Sequence, residues 1–239
     1  MGKQYSNLAV VIPAINELGN LKILVKKVSS GYPGVNIYIV DDSSGKENDK
    51  LKKALLPEYK KLLIISRKKK GGRGSAVIRG LREALKKKSI KVFVEMDADL
   101  AHDPKEIKLL LEKAKEVDMV IGSRYLSKSN IIDWPLRRVV QSKIINLFLN
   151  IWLGLKLSDY TNGFRAYSRN CASVITRAKL YEKGFISLSE IAYILLKKGF
   201  EIGEVPISFR DRKLGVSNAN YKELLISLIG ALRIKFRHG

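Results

Sequence analysis

Cysteine and histidine are almost absent from this chain. Cys171 is the single cysteine. That excludes an intrachain disulfide and a cysteine-rich zinc site, and leaves Cys171 to pack as a small apolar side chain. His102 and His238 are the two histidines, so a histidine-rich metal site is excluded and a serine–histidine–aspartate triad has only His102 to draw on. No run of about eighteen apolar residues occurs, which argues against a spanning helix. The polar start and the short apolar stretch 8–12 do not make a secretory leader, so a cytoplasmic protein is expected. Acidic residues are scarce, 23 against 45 Lys and Arg, for a net charge of +22. Such an excess points to nucleic acid, an anionic membrane surface or phosphorylated substrates as partners. Aromatic residues are not interleaved with the basic runs as they are in single-strand binders. Most individual lysines read as solvated surface.

What is present is an α/β alternation long enough, at 239 residues with 46% hydrophobic content, for one large domain with a real core. Apolar strands are predicted over 8–13, 35–40, 62–66, 92–96 and 119–122, with helices over 18–28, 50–56, 75–87 and 104–115 between them. Asn16 is the expected cap of the first helix, and Ala76, Ile78, Leu81 and Leu85 the inward face of the third. This order predicts a mostly parallel sheet flanked by helices. Past residue 125 the pattern changes. A long helical stretch over 134–157 carries Arg137, Arg138 and Lys143 beside an apolar face. A polar turn, 159–165, leads into a short strand at 166–168. A helix follows at 189–197, then a strand over 201–210 broken at Pro206, then an amphipathic helix over 221–236. Residues 1–217 are read as one domain and 218–239 as a C-terminal amphipathic helix.

The fourth strand ends on Asp97-Ala98-Asp99. Aspartates two apart in extended chain point the same way, and two like charges on one side call for a cation between them. A hard divalent ion that also holds phosphate oxygens answers that need. The competing account is structural: Asp97 caps the strand and Asp99 the helix at Pro104. The loops 13–17 and 41–45 end strands at the same sheet edge, so the three surround one crevice. Gly71-Gly72-Arg73-Gly74 opens a helix without matching a dinucleotide or Walker fingerprint. It is either a plain turn or a set of backbone N–H contacts to phosphate.

Seven motifs in order carry a resemblance: Val10–Glu17, Asp41-Asp42-Ser43-Ser44, Gly74-Ser75-Ala76 with Gly80, Met96–Leu100, Gly122-Ser123-Arg124-Tyr125, Asp159–Arg165, and Glu204-Val205-Pro206-Ile207. From Leu8 to about Ser217 the chain resembles the inverting family 2 glycosyltransferases of GT-A (Rossmann-like) fold. Within them it is most similar to the polyprenyl-phosphate glycosyltransferases, the dolichol-phosphate mannose synthases among them. The resemblance implies a nucleotide sugar bound by Pro13, Ala14, Asn16, Glu17 and Asp42, and by Ala98 between the two aspartates. It implies Mg²⁺ or Mn²⁺ on Asp97 and Asp99, Arg212 on the donor diphosphate, and the acceptor phosphate on Arg124, Arg138 and Ser142. Arg137 is not separable from Arg138 by sequence. Glu190 reads as a helix-end residue. The implied reaction moves a hexose, mannose from GDP-mannose foremost, to a dolichyl or other polyprenyl phosphate, with UDP-glucose as the alternative donor. The implied place is peripheral, on the cytoplasmic face of a membrane, with helices 134–157 and 221–236 lying in the interface. Three departures stand out. Ala101 occupies the place of a glutamine that can help bind metal, Ser217-Asn218 stands for Ser-Lys, and Ser43 for glycine. Two other classes compete for the same residues: a basic nucleic-acid-binding protein, with the aspartates as helix caps, and a nucleotidyltransferase, for which the loop 13–17 lacks a glycine-rich triphosphate cradle.

Overall fold

The computed structural model describes residues 4–67, 70–154, 156–182, 184–211 and 221–238, with backbone alone over 221–227. Its centre is β1 (Leu8–Ala14). Leu8, Val10, Ile12 and Ala14 enter one layer of the core, Ala9 and Val11 the other, as a two-residue period dictates for a strand covered on both faces. β2 (Asn36–Asp41) and β4 (Val92–Glu95) flank β1 in parallel, and β3 (Leu62–Ser66) pairs outside β2. The sheet continues through β7 (Arg165–Ser168), β5 (Met119–Ser123) and β8 (Ile202–Pro206), giving the order β3-β2-β1-β4-β7-β5-β8.

The sheet is mixed: β7 runs antiparallel to both β4 and β5. The cause is where the chain re-enters. After β5 it passes through β6 (Asn130–Ile132) and α5 (Leu136–Leu153). It then returns at the carboxyl edge, where Arg165 pairs with Glu95, the last residue of β4. Beyond that edge β6 pairs in parallel with β9 (Ser208–Arg210) as a small second sheet. Pro206 thus ends β8, and the strand expected over 201–210 is divided between two sheets.

One face of the main sheet is covered by α1 (Leu18–Gly31), α2 (Gly45–Leu55) and α4 (Ile107–Lys113). The other is covered by α3 (Arg73–Leu85), α5, α6 (Arg169–Arg177), α7 (Ile186–Lys197) and α8 (Tyr221–His238). Each leucine, isoleucine or valine fully buried between these layers contributes about 1.5–3 kcal/mol. α3 lies close on β1 because Gly80 has no side chain; a Cβ there would collide with Val11. Its buried face is Ala76, Val77, Gly80, Leu81 and Ala84, with Ile78 and Leu85 partly covered. α8 packs on α5 and α7 through Ala231 and Ile234, and the Trp152 indole N–H donates to the Ala231 carbonyl at 3.0 Å.

Several local expectations are corrected. Asn16 is not the cap of α1. It sits at φ +56°, and Glu17 takes the cap position without a side-chain cap bond. Asp99 does not cap the turn at Pro104; Asp103 does, accepting from the Lys105 N–H. α6 was not expected: Ser168, read as a strand end, is also its cap and accepts from the Cys171 N–H. Among the described residues no helix is long and apolar enough to cross a membrane.

Candidate active site

The carboxyl ends of β1, β2 and β4 open on a cleft of about 470 Å³. Pro13, Ala14 and Glu17 form its β1 wall, Asp42 its β2 end, and Asp97, Ala98 and Asp99 its β4 end. β4 stops at Glu95, so strand alternation is not what aligns the two aspartates; they reach the cleft from the turn that follows. Asn16 lies in an adjoining polar pocket with Ser43, Ser44, Glu47 and Arg67, joined to the main cleft through Asp42 and Lys70. The Asn16 N–H donates to the Ser43 hydroxyl at 2.7 Å, so the serine standing for glycine has a local role.

The two aspartates ending β2 have different work. Asp41 is buried and structural, accepting from Ser43 and from the Asn48 amide. Asp42 turns to the cleft and meets Arg67, whose Nε and Nη2 donate at 2.5 and 2.6 Å. Arg67 also donates to the Ser75 hydroxyl at 2.7 Å, tying β3 to the start of α3.

Arg73, the first residue of α3, was passed over in the sequence as part of a glycine turn. Its guanidinium lies between two carboxylates, 2.5 Å from Glu95 Oε1 and 2.7 Å from Asp97 Oδ1, with Nε also donating to that Asp97 oxygen at 2.9 Å. Burial alone would lower its pKa; Asp97 and Glu95 reverse that and hold it above the ordinary arginine value. Glu95 is fully buried, and its second oxygen accepts from the Tyr167 hydroxyl at 2.6 Å. Burial, then the Glu95 charge, keep that phenol protonated well above its usual range.

At the other end of the cleft Arg124 is buried and closed on Asp159. Nε and Nη2 donate at 2.7 and 2.8 Å, and Nη2 reaches the Thr161 hydroxyl at 2.7 Å. Burial pushes the Asp159 carboxyl up, and Arg124 overrides it, leaving Asp159 below the usual carboxylate range. The turn 159–165 is held both by its own residues and by distant ones. Glu204 accepts from the Ser158 and Asp159 N–H groups. The buried Arg165 donates to the carbonyls of Tyr160, Asn162 and Leu188. His102 is a brace and not a nucleophile's partner. Its Nδ1 accepts from the Asp97 N–H at 3.4 Å, its Nε2 meets Asn162 Oδ1 at 2.8 Å, and its ring stacks on Phe164.

α5 roofs the cleft. Arg138, Gln141, Ser142 and Ile145 face inward. Arg138 donates to Asp211 at 2.8 Å and lies 4.0 Å over the Trp134 ring. This separates it from Arg137, which is exposed on the outer side. Trp134, Thr161, Phe185 and Phe209 also line the cleft and had no individual signal in the sequence, since each comes from a loop or edge that only folding brings near. Arg212, Ser217 and Asn218 lie outside the described residues. Glu190 is not a helix-end residue: buried within α7, it accepts from the Tyr181 and Glu182 N–H groups and from His238 Nε2.

The model of glycosyl transferase family 2 matches residues 9–175, which spans β1 through most of α6. This chain belongs to that family. It is a glycosyltransferase. It is 35% identical over 224 residues to the polyprenol monophosphomannose synthase of Mycolicibacterium smegmatis, covering 92% of this chain and 84% of that protein. It is 33% identical over 207 residues to the undecaprenyl-phosphate mannosyltransferase of Micrococcus luteus, covering 87% and 85%. It is 35% identical over 222 residues to the dolichol-phosphate mannosyltransferase of Pyrococcus furiosus, covering 91% of this chain and 60% of that protein. Among solved structures, glucosyl-3-phosphoglycerate synthase of Mycobacterium tuberculosis with Mn²⁺ and UDP superposes with a TM-score of 0.65 at 19% identity, covering 95% of this chain and 78% of that one. That likeness is one of fold.

Proposed function

We propose that this glycosyltransferase moves a hexose from a nucleotide sugar to a polyprenyl phosphate with inversion, mannose from GDP-mannose being the favoured donor. The observation that carries the reading is the two-sidedness of α5. At 3.6 residues per turn, Leu136, Val140, Ile144, Leu147 and Ile151 fall within an arc of about 80° on the outer side. All five are exposed, Leu136 by 78% and Ile151 by 75%. Arg138, Gln141, Ser142 and Ile145 fall on the opposite arc, over the cleft. One helix thus offers an apolar stripe outward and a phosphate-binding set inward, which suits an acceptor with an apolar tail and an anionic head. The names of the relatives at 33–35% identity support the same class of acceptor.

The chemistry follows from the acceptor. A phosphate monoester is already mostly dianionic at neutral pH, so the site does not have to deprotonate the nucleophile. It has to bring two anions together and stabilise the departing diphosphate. Arg138 and Ser142 are assigned to the acceptor phosphate. Arg124, its fork shared with Asp159 and Thr161, is assigned to the wall behind that phosphate. The small polar pocket at Asn16, Asp42 and Arg67 is assigned to the base and ribose, and Pro13, Ala14, Glu17 and Ala98 to the walls of the donor site. Arg212 keeps its assignment to the diphosphate from the resemblance.

Asp97 and Asp99 are assigned to Mg²⁺ or Mn²⁺. The fit is partial. Both are hard oxygen donors at the cleft, yet among the described residues no group of three or more metal-binding side chains exists, and Ala101 adds none. Phosphate oxygens and water would have to complete the set. When bound, such an ion neutralises charge on the leaving diphosphate. The protein's place is peripheral at a membrane, with the α5 stripe toward the lipid.

A panel of GDP- and UDP-sugars incubated with polyprenyl phosphates and Mn²⁺ or Mg²⁺ tests the reading. GDP-mannose is expected to give the labelled lipid, and Asp99→Ala to reduce transfer by at least about a hundredfold. Transfer undiminished in that variant rejects the metal assignment. Sugar lipid formed only from UDP-glucose replaces the donor, and no lipid product from any donor rejects the acceptor.

A further inference from the structure

Arg73 supplies a cation where the two aspartates, by sequence, call for a divalent ion. It projects from the first residue of α3 into the cleft, and both Nε and Nη2 donate to one oxygen of Asp97. Its third bond goes to Glu95, a fully buried carboxylate that is itself anchored by Tyr167. The opposite wall is shaped around it: a Cβ on Gly163 would overlap the guanidinium. Arg73 is therefore held on three sides, and Asp97 is oriented by a charged fork and not by the strand that precedes it.

The geometry points to Arg73 as the residue that positions Asp97 and makes divalent metal binding depend on the donor diphosphate. Without the donor, Arg73 occupies one oxygen of Asp97 through two N–H groups, and a divalent ion has to compete with that cation for it. The diphosphate brings negative charge and further oxygen ligands, and only then is a divalent ion held well. The same fork aims the Asp97 carboxylate so that the ion and the leaving group meet it in one orientation. This rests on the metal and donor assigned above.

The test is direct Mn²⁺ binding, read by electron paramagnetic resonance of the free ion, with Mn²⁺ alone and then with GDP or UDP. The wild-type protein is expected to bind Mn²⁺ alone weakly and at least about tenfold more tightly with one of the diphosphates. The double variant Arg73→Met with Glu95→Gln removes both charges, so that no buried carboxylate is stranded. The pair it removes is net neutral, so the gain is local: it is expected to bind Mn²⁺ alone about tenfold more tightly than wild type, since the Asp97 oxygen that Arg73 occupies is freed. Arg73→Lys keeps the charge and loses the fork. It is expected to leave Mn²⁺ affinity within about twofold, and to lower kcat about tenfold with little change in either KM. Equal Mn²⁺ affinity in the folded double variant and wild type overturns the proposal. If the double variant does not fold, wild-type kcat in Arg73→Lys overturns it. If wild type shows no diphosphate-dependent Mn²⁺ binding, the metal assignment itself falls and this inference with it; a wild-type response retained unchanged in the double variant sinks only the role of Arg73.

Discussion

A guanidinium buried as deeply as that of Arg124 requires a carboxylate, and Asp159 supplies it through bonds of 2.7 and 2.8 Å. Removing one partner of such a pair typically costs about 3–5 kcal/mol, because the other is left charged and dry. Asp159→Asn is expected to lose about that much stability in urea at neutral pH. The sign of its pH dependence follows from the depressed Asp159 pKa. The contribution is fully present above the unfolded carboxylate value of about 3.9 and is lost as pH falls through the lower folded value. The gap between wild type and variant should therefore narrow from about pH 7 to about pH 3. A gap that stays constant would show that the pair acts through shape and not through charge. Asp42 with Arg67, and Asp97 with Arg73, repeat the pattern: two of the acidic residues that the sequence picks out for the donor are each presented by an arginine from a neighbouring element.

At the scale of elements, α5 decides how the site is used. Helical period gives it two sides, and position along the axis divides the inner one: Arg138 and Ser142 look into the cleft from its first half, Asn146, Leu149 and Leu153 are buried in its second, and the apolar stripe looks out. Leu147 and Ile151 are 60% and 75% exposed, so charging them leaves the core intact. The double variant Leu147→Glu, Ile151→Glu is expected to weaken binding to lipid vesicles about tenfold. It should equally slow transfer to a long-chain polyprenyl phosphate, while transfer to a short-chain, water-soluble acceptor stays near wild type. Equal loss on both acceptors would place the effect inside the cleft and not at a lipid surface. The apolar pattern over 134–157 announced a helix, and the resemblance an interfacial side for it; which residues form that side was visible only once α8 and the turn at Tyr160 had packed against the others.

For the whole molecule, 45 Lys and Arg against 23 Asp and Glu set a positive field around the small cleft. Binding to vesicles containing anionic lipid is expected to weaken severalfold between about 0.05 and 0.5 M salt as the Debye length shrinks. Binding to neutral vesicles should change little, and salt-independent binding to both would remove the charge from the account. The alternation of apolar runs and turns determined by itself the layered α/β architecture, because a strand such as β1, apolar at every position from Leu8 to Ala14, has to be covered on both faces. Local motifs determined equally well that Pro13, Asp42, Asp97 and Asp99 share one sheet edge, since parallel strands end together. What only the tertiary structure decided lies in contacts between distant segments. Arg73 meets Asp97 from 24 residues away, and Arg124 meets Asp159 from 35. β7 inverts because its chain re-enters at the carboxyl edge, and His102 braces the aspartate turn from within the core. Periodicity reports which face of an element is buried; it carries no information on which charged side chain will be waiting there.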